Sequence, residues 1–431
     1  MRFDLKPGLL LGTATAATQI EGGDSNNNWA RFAEQGKVKD GTSPVRANDH
    51  YVRYREDIDL MAEMGMQIYR FGIEWSRIEP ERGNFREDVL AHYRDEVLYM
   101  LSKGIRPMLT LHHFTNPLWF EDMGAWECDE AVEIFMTFAE RTVSYLGDLI
   151  DDYITINEPN VYATNSLFFG EWPPEKKSIG SLVKAFSNMT AAHIACYRMI
   201  HEKRLAMGKR AEDTRVGFAN HLRVFAPKNP KNPKHVICAR LTAYLFQDAI
   251  TDAMMCGRCR FPVKKRPGVT RGRYYDFIGI NYYTRSTVTG IGDGVAEGSY
   301  INDLGWEIYH EGLIELSNAL SAKYGWEYPV FVTENGTCDN NDSFRARFIY
   351  DQLKLISETN NRIERYYHWS FIDNFEWREG ESARFGVVEC DYPTQNRRIK
   401  DSGKLYSAII ADRGVTEVAY ASYVERSQYH K

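Results

Sequence analysis

The stretch of sequence at residues 330–336, VFVTENG, is typical of a short buried strand that ends on a carboxylate. Apolar residues come first, and an Asn-Gly pair that favours a turn follows Glu334. Residues 153–160, YITINEPN, repeat this arrangement, because strand residues lead to Glu158 and Pro159 cannot continue a ladder of hydrogen bonds. The sequence therefore predicts two carboxylates at the C-terminal ends of two different strands.

Two carboxylates brought together in this way are the groups that cleavage of a glycosidic bond requires. One carboxyl protonates the leaving oxygen, and the other attacks the sugar or activates water. Taken alone, each motif has a simpler interpretation. Thr-Glu-Asn-Gly is more often a strand that enters a hairpin turn, and Asn-Glu-Pro is a turn at a strand end. The rest of the chain decides between these interpretations.

The composition favours a large globular protein with a small or neutral ligand. The 431 residues are 43% hydrophobic, which is ample for a core. The net charge of −6 gives no indication of a basic surface that would bind nucleic acid or an anionic membrane. Aromatic residues make up 13% of the chain. Their flat faces and hydroxyl groups suit stacking and hydrogen bonding to sugars, although aromatic side chains also fill cores.

The cysteines indicate a reducing environment. Seven of them, an odd number, are spread over the chain and do not form a disulfide framework, which favours a cytoplasmic location. Cys256 and Cys259 have the spacing of half a zinc site or of a redox motif. No second pair or His set accompanies them, so no metal site is predicted.

The N-terminal residues 8–17, GLLLGTATAA, loosely resemble a short leader peptide. Asp4 stands where a leader has its basic region, the apolar run is brief, and it continues directly into Gln19. A first strand of the fold is therefore the better interpretation. No apolar run in the sequence is long enough to span a bilayer, so no membrane partner is expected.

Eight strand-like segments recur along the chain, separated by helical patterns. They are residues 9–14, 67–73, 106–112, 153–157, 215–220, 277–283, 330–334 and 365–370. Between them lie amphipathic patterns such as 49–64 and 130–146. Alternating strands and helices favour a parallel sheet, and eight repeats favour closure into a single (β/α)₈ TIM barrel over residues 1–431. The stretches 227–233 and 290–298 are predicted to be surface loops.

Active sites of such barrels lie at the C-terminal ends of the strands, so the residues after each strand are the pocket candidates. They are Gln19, Glu21, Arg70, His112, His113, Phe114, Asn157, Glu158, Asn281, Tyr282, Tyr283, Glu334, Trp369, Asp373, Asn374, Glu376 and Trp377. Amides, carboxylates, an imidazole and indoles suit a polyhydroxylated neutral ring, with hydrogen bonds at its rim and stacking on its apolar face.

Several of these candidates also have structural interpretations. His113 alone is more often a satisfied core histidine, and Trp369 and Trp377 seen singly are more often core residues. Arg70 inside a strand must be paired if it is buried, and an acid such as Glu334 at a neighbouring strand end is the available partner.

The chain resembles glycoside hydrolase family 1, the retaining exo-glycosidases of the β-glucosidase and β-galactosidase group. The resemblance rests on six blocks that occur in order along nearly the whole chain. They are 12–22 (GTATAATQIEG), 69–78 (YRFGIEWSRI), 155–160 (TINEPN), 280–284 (INYYT), 333–336 (TENG), and 369–377 (WSFIDNFEW) followed by RFG at 384–386.

The resemblance implies that Glu334 is the nucleophile and Glu158 the general acid/base. It also implies that Asn157 contacts the sugar 2-hydroxyl, and that Arg70 and Tyr283 hold Glu334 ionised and aimed. Physical chemistry suggests the same division, because a nearby arginine lowers the pKa of Glu334, and Glu158 facing an anionic carboxylate stays protonated. A retaining mechanism predicts carboxyl groups about 5 to 5.5 Å apart and requires no cofactor.

The remaining roles concern the sugar. The resemblance implies that its hydroxyls are bound by Gln19, His113, Glu376 and Trp377, with Trp369 stacking beneath the ring. The expected partner is a small β-glycoside. The glycone, whether glucose, galactose or fucose, stays open, since these sugars differ at one or two hydroxyls. The oligomeric state also stays open.

Departures from the family pattern bear on specificity. The usual His-Trp-Asp after the third strand is HFT at residues 113–115. A 6-phospho-β-glycosidase is the nearest alternative, but those relatives have a small hydroxyl residue where this chain has Glu376, and a Lys and a Tyr where it has Ala383 and Phe385. A non-catalytic sugar-binding member is a further alternative, and it is disfavoured because both glutamates are present.

Overall fold

The computed structural model describes residues 2–290 and 292–431, and its centre is a closed barrel of eight parallel strands. The barrel strands are β1 Leu10–Ala14, β2 Ile68–Gly72, β3 Arg106–His112, β4 Asp152–Asn157, β5 Arg215–Pro227, β6 Ile278–Gly290, β7 Val330–Asn335 and β8 Ile363–Trp369. Each strand pairs with the next, and β8 pairs with β1 through Arg365 and Leu10, which closes the ring. The predicted (β/α)₈ fold is confirmed.

Helices follow the strands around the outside of the barrel. The longer ones are α1 His50–Glu63, α2 Glu87–Ser102, α3 Ala131–Leu146, α4 Ile179–Ala206, α5 Pro233–Ala243, α6 Ala249–Cys256, α7 Glu311–Tyr324, α8 Arg345–Glu358 and α9 Asp401–Asp412. Short α-helices span Ala17–Ile20, Asn28–Glu34, Trp75–Ile78, Leu118–Asp122, Pro159–Tyr162 and Glu417–Ala419. 3₁₀-helices span Ala125–Glu127, Ala211–Asp213 and Trp377–Glu379. π-helices span Ala163–Phe169, Tyr244–Asp248 and Tyr420–Val424.

Three small antiparallel pairings complete the secondary structure of the described residues. Phe3–Asp4 pairs with Gly414–Val415, and Val388–Asp391 pairs with Asn396–Ile399. Gly292–Gly294 pairs with the end of β6. The predicted loop at 290–298 is therefore partly a strand, and its residue 291 lies outside the described residues.

The barrel strands are buried on both faces, because side chains fill the interior and helices cover the outside. Every residue of β2, β4 and β7 is buried. Polar residues of these strands, such as Thr155 and Thr333, are therefore buried as completely as their apolar neighbours. The charged residues of these strands, Arg70, Asp152 and Glu334, are buried as well and must be satisfied inside the protein.

All eight predicted strands exist, and most of their ends agree within two residues. The exceptions are the C-terminal ends of β5 and β6, predicted at 220 and 283 but observed at 227 and 290. The two strands continue to pair beyond the barrel, from Val224 with Arg285 to Pro227 with Val288. This extension rises beside the C-terminal rim, next to the region where the pocket candidates lie.

The N-terminal stretch is the first barrel strand, as expected, since Leu10–Ala14 forms β1. Within the described part of the chain, no helix has both the length and the apolar character needed to cross a membrane.

Candidate active site

Glu334 lies near the end of β7 with only 3% of its surface exposed, and both of its carboxylate oxygens receive hydrogen bonds. Arg70 Nη1 donates to Oε1 over 2.6 Å, and the Tyr283 hydroxyl donates to Oε2 over 2.6 Å. The first donor comes from β2 and the second from β6. Because side chains from two different strands each donate to a different oxygen, the carboxylate of Glu334 has a fixed orientation.

Arg70 is fully buried and extends the network to two further strands. Its Nε donates to Thr110 Oγ1 of β3 over 3.0 Å, and its Nη2 donates to Asn157 Oδ1 of β4 over 2.7 Å. Nη1 also donates to the Thr333 carbonyl over 3.1 Å. One guanidinium therefore ties together the C-terminal ends of β2, β3, β4 and β7, and its pairing with Glu334 is the one expected from the sequence.

Glu158 follows β4 and begins the helix Pro159–Tyr162, with a left-handed backbone at φ 41°. It is buried, and its Oε1 accepts a hydrogen bond from Asn281 Nδ2 over 2.9 Å. The same Asn281 amide donates to Asn157 Oδ1 over 3.0 Å, and Thr333 Oγ1 donates to Asn281 Oδ1 over 2.6 Å. Glu334 and Glu158 therefore belong to one hydrogen-bonded network, which runs through Arg70, Asn157 and Asn281.

The electrostatics of Glu334 correct one expectation. Burial raises the pKa of Glu334 above its ordinary value, and the negative charge of Glu158 acts in the same direction. Arg70 and Tyr283 lower the pKa, as expected, but they do not outweigh burial. The prediction of a lowered pKa was wrong because it counted the arginine and left out the loss of water around a carboxylate in the barrel interior.

The predicted sugar-binding residues also meet at this rim. Gln19 Nε2 lies within hydrogen-bonding distance of the Phe375 carbonyl at 2.8 Å, Asn374 Oδ1 at 3.1 Å and Glu376 Oε2 at 3.3 Å. Burial raises the pKa of Glu376 to about 8, although hydrogen bonds from Trp369 and Gln19 lower it. Gln19 thus joins the loop after β8 to the segment after β1.

His113 and two indoles form an aromatic wall at this rim. Its ring centroid is 5.7 Å from that of Trp369 and 5.8 Å from that of Trp377. Asn157 Nδ2 lies 2.9 Å from His113 Nε2 and donates to it, so the imidazole hydrogen is on Nδ1. Burial and the charge of Arg70 lower the pKa of His113 well below its ordinary value, so the ring is neutral.

One aromatic residue that the sequence did not single out, Trp172, extends the wall. Trp172 packs against Phe114 and Trp377, with ring centroids 5.0 and 6.1 Å apart. Phe114 itself contacts Trp377 at 5.1 Å. No sequence pattern places Trp172 at this rim, because it does not follow a barrel strand directly but comes after the helical segments Pro159–Tyr162 and Ala163–Phe169.

His221 is a second residue that sequence reasoning missed. It lies in β5, and its Nδ1 is 3.2 Å from Glu158 Oε1. Asn281 was named among the strand-end residues but was given no role. The sequence does contain a signal for His221, because this residue immediately follows the predicted strand 215–220 and pocket residues lie at the C-terminal ends of barrel strands.

The cysteine motif lies apart from this network. Cys256 and Cys259 are free thiols at and after the end of α6. Among residues 2–290 and 292–431, no three His, Cys, Asp or Glu side chains are grouped in a way that could hold a metal ion.

Comparisons with known proteins agree over nearly the whole chain. The sequence profile of glycosyl hydrolase family 1 matches residues 2–415. Beta-glucosidase A of Acetivibrio thermocellus is 30% identical over 445 residues, which cover 94% of this chain and 97% of that protein.

Solved structures give the same result. A beta-glycosidase from Pyrococcus horikoshii superposes with a TM-score of 0.87 at 31% identity, covering 99% of this chain and 100% of that one. A beta-glucosidase from Thermotoga maritima, in complex with deoxynojirimycin, superposes with a TM-score of 0.86 at 28% identity, over 96% of this chain and 100% of that one. The protein therefore belongs to glycosyl hydrolase family 1 and is a β-glycosidase that acts on O-glycosyl bonds.

Proposed function

We propose that the protein is a retaining exo-β-glycosidase that removes terminal β-glucosyl residues from unphosphorylated β-glycosides. The observation that carries the proposal is the network that joins Glu334 and Glu158 through Arg70, Asn157 and Asn281. It places two buried carboxyl groups, one held by a guanidinium and one by an amide, at one end of the barrel.

In the first step, Glu334 attacks the anomeric carbon while the bond to the glycosidic oxygen breaks. The electron pair of that bond goes to the leaving oxygen, which takes a proton from Glu158. Arg70 and Tyr283 hold the carboxylate of Glu334 in place for the attack. The product is a covalent glycosyl-enzyme ester and a free aglycone alcohol.

In the second step, the roles of the carboxyl groups reverse. Glu158, now ionised, takes a proton from water, and the water oxygen bonds to the anomeric carbon as Glu334 leaves with its electron pair. Two displacements at one carbon restore the original β configuration. Direct attachment of Glu334 to the sugar requires the two carboxyl groups to lie about 5 to 5.5 Å apart, which stays a prediction.

The sugar ring is proposed to bind between Asn157 and the wall formed by His113, Trp369 and Trp377. Asn157 already donates to His113 Nε2, so a 2-hydroxyl would bind by sharing or replacing this contact. Gln19 and Glu376 supply an amide and a carboxyl group for the hydroxyls farther from the anomeric carbon. The relatives named β-glucosidases favour glucose among the neutral sugars.

Glu376 argues against a 6-phosphorylated substrate. A sugar phosphate carries negative charge and requires cations or hydrogen-bond donors. Glu376 supplies no positive charge in either protonation state. Burial and the negative charge of Glu334 raise the pKa of Glu376 to about 8, and the same surroundings disfavour the negative charge of a phosphate. An unphosphorylated glycoside leaves this residue free to accept or donate a hydrogen bond to a hydroxyl group.

A panel of 4-nitrophenyl glycosides tests the proposal. We expect turnover of the β-glucoside, with the β-galactoside and β-fucoside as comparisons, and no turnover of the α-glucoside or of the 6-phospho-β-glucoside. Proton NMR of the first product should show the β anomer before mutarotation. Release of the α anomer would overturn the retaining mechanism, and preference for the 6-phospho substrate would overturn the assigned substrate class.

We also propose a single domain over residues 1–431 and a cytoplasmic location. The first is supported by the pairing of Phe3–Asp4 with Gly414–Val415, which joins the two ends of the chain. The second is supported by the seven cysteines, all of them free thiols.

A further inference from the structure

His221 and Asn281 both contact the same oxygen of Glu158. Asn281 Nδ2 lies 2.9 Å from Oε1, and His221 Nδ1 lies 3.2 Å from it. The two residues are directly opposite each other in the pairing of β5 with β6. The side chain of Asn160 fixes the backbone here as well, because it donates to the His221 carbonyl over 2.7 Å.

The hydrogen of the His221 ring can be assigned from its other contact. Arg223 Nε lies 2.9 Å from His221 Nε2, and an arginine nitrogen can only donate. Nε2 is therefore the acceptor, and the ring hydrogen lies on Nδ1, where it points to Glu158. Burial lowers the pKa of His221, which agrees with a neutral ring, although the charge of Glu158 acts in the opposite direction.

Packing holds the His221 ring in this orientation. The ring stacks on that of Tyr283 with centroids 5.7 Å apart and planes inclined by 16°. The ring of Phe246 packs nearly perpendicular to it, with centroids 6.0 Å apart. Only 5% of the residue is exposed. Tyr283 donates to Glu334, and His221 contacts Glu158. The stacked rings of His221 and Tyr283 therefore connect the surroundings of the two carboxyl groups.

We propose that His221 is a positioning residue for Glu158, and that it acts with Asn281 to reserve Oε1 as the acceptor oxygen and Oε2 as the oxygen that carries the transferable proton. This inference rests on the proposed function. An oxygen that accepts two hydrogen bonds is disfavoured as the site of its own proton, so the acidic hydrogen lies on the other oxygen.

The two steps of the reaction use this arrangement in turn. In the first, the hydrogen on Oε2 passes to the glycosidic oxygen, and the negative charge left on Glu158 is stabilised by the two donors at Oε1. In the second, Oε2 takes a proton from water, and the water oxygen bonds to the anomeric carbon as Glu334 departs. His221 gives up no proton in either step, since its Nδ1 hydrogen stays in place as a donor.

A pair of similar-sized variants tests the role of the donor. In H221N the amide nitrogen can occupy the place of Nδ1, whereas in H221L a carbon occupies it. The measurement is kcat/KM for an alkyl β-glucoside, whose leaving group needs a proton, and for 2,4-dinitrophenyl β-glucoside, whose leaving group does not. E158Q serves as the reference for complete loss of the acid.

We expect H221L to lower kcat/KM for the alkyl glucoside by about tenfold or more and that for the dinitrophenyl glucoside by less than about threefold, because only the first substrate depends on protonation. H221N should recover most of the loss. Equal losses for both substrates in H221L, no loss, or failure of H221N to recover activity would overturn the proposal.

The pair H193N and H193L is the matched control. His193 is a buried imidazole in α4 whose nitrogens contact Thr155 Oγ1 at 2.7 Å and the Tyr274 carbonyl at 2.9 Å, outside the site. These variants lose an equivalent side chain, so they should lower stability without separating the two substrates. A wild-type protein that forms the α anomer would overturn the proposed function, whereas retention without the effect of H221L would overturn only the role of His221.

A spectroscopic measurement keeps the proposal testable if H221L does not fold. In protein labelled with ¹⁵N-histidine, the signals of His221 are identified by their absence in H221N. We expect the pattern of a neutral ring with its hydrogen on Nδ1. A ring with its hydrogen on Nε2, or a doubly protonated ring at neutral pH, would contradict the assigned hydrogen-bond direction.

Discussion

At the residue scale, Glu334 combines two opposing effects. Burial penalises its negative charge, while Arg70 and Tyr283 each donate a hydrogen bond to one oxygen. These donors are fixed by neighbouring strands, and they oppose the loss of the charge that burial favours. Glu334 loses that charge when it bonds to the sugar, so the environment that penalises charge favours the covalent intermediate.

Substitution of Glu334 tests its role as the nucleophile. We expect E334A to abolish turnover of 2,4-dinitrophenyl β-glucoside and azide to restore it, because a small anion can enter the vacated space and attack the same carbon. The product should be the α-glycosyl azide, since a single displacement inverts the configuration. Formation of the β-azide, or undiminished activity without azide, would contradict the assignment.

Tyr283 should govern the acid side of the pH profile. Its hydrogen bond lowers the pKa of Glu334, so its removal in Y283F should raise that pKa. Activity requires ionised Glu334, and the acid limb of the kcat/KM profile should therefore move to higher pH by on the order of one unit. The measurement is the pH dependence of kcat/KM for 2,4-dinitrophenyl β-glucoside.

Y282F is the control for this prediction. The Tyr282 hydroxyl donates to the Tyr309 carbonyl over 2.6 Å and does not contact Glu334. The two variants remove the same group from adjacent residues of β6. An unchanged acid limb in Y283F, or an equal shift in Y282F, would show that the Tyr283 hydrogen bond does not control the ionisation of Glu334.

At the element scale, the barrel strands were predictable and their cross-strand contacts were not. Residues 330–334 reveal a strand through local composition, and Glu334 marks its end. By contrast, the contact of His221 with Glu158 depends on the register that places His221 opposite Asn281, which is set by tertiary structure. The same applies to the extension of β5 and β6, because residues 221–227 lack a strong strand pattern and are stabilised by pairing with distant residues.

The close approach of β7 and β8 explains the glycine of the TENG motif. A Cβ atom on Gly336 would lie 1.9 Å from the carbonyl oxygen of Trp369, the last residue of β8. We expect G336A to push the strand ends apart, to destabilise the protein by about 1 to 3 kcal/mol, and to lower kcat/KM because Glu334 and Trp369 shift relative to each other. Denaturant unfolding and kinetics measure the two effects.

G180A is the matched control, since Gly180 lies in the first turn of α4 and an added Cβ would meet its nearest neighbour at an ordinary 3.5 Å. It should leave both unfolding and activity close to wild type. Wild-type kinetics in G336A would show that the strand ends tolerate separation and that their spacing does not position the nucleophile.

At the scale of the whole molecule, the protein contains several carboxyl groups whose pKa is raised by burial. Burial raises the pKa of Glu21 and Glu121 to about 7 and that of Glu74 to about 8. Burial opposes the charge of His50, but hydrogen bonds to Asp57 and Glu96 outweigh it and raise its pKa to about 10. Each of these groups binds protons more tightly in the folded than in the unfolded chain.

The sign of the resulting pH dependence follows from linkage. A carboxyl group whose pKa is raised on folding contributes its full stabilisation below its unfolded pKa of about 4.5 and loses it as the pH rises through the folded value. His50 acts in the same direction between about pH 6.5 and 10. Buried histidines with a lowered pKa, such as His113 and His221, act in the opposite direction below about pH 6.5. We therefore expect the free energy of unfolding, and with it Tm, to fall as the pH is raised from 7 to 9.

Glu74 allows this prediction to be tested at one residue. Its carboxyl accepts hydrogen bonds from Thr18 and from Ser76, the latter over 2.8 Å, and an amide oxygen can accept at least one of them. E74Q cannot ionise, so its Tm should fall less than that of the wild type between pH 7 and 9, by a few degrees. E81Q, which removes an exposed carboxyl seven residues away, should follow the wild-type curve. Parallel curves for E74Q and wild type would show that Glu74 is not a source of the pH dependence, because a group that titrates equally in folded and unfolded chains contributes none.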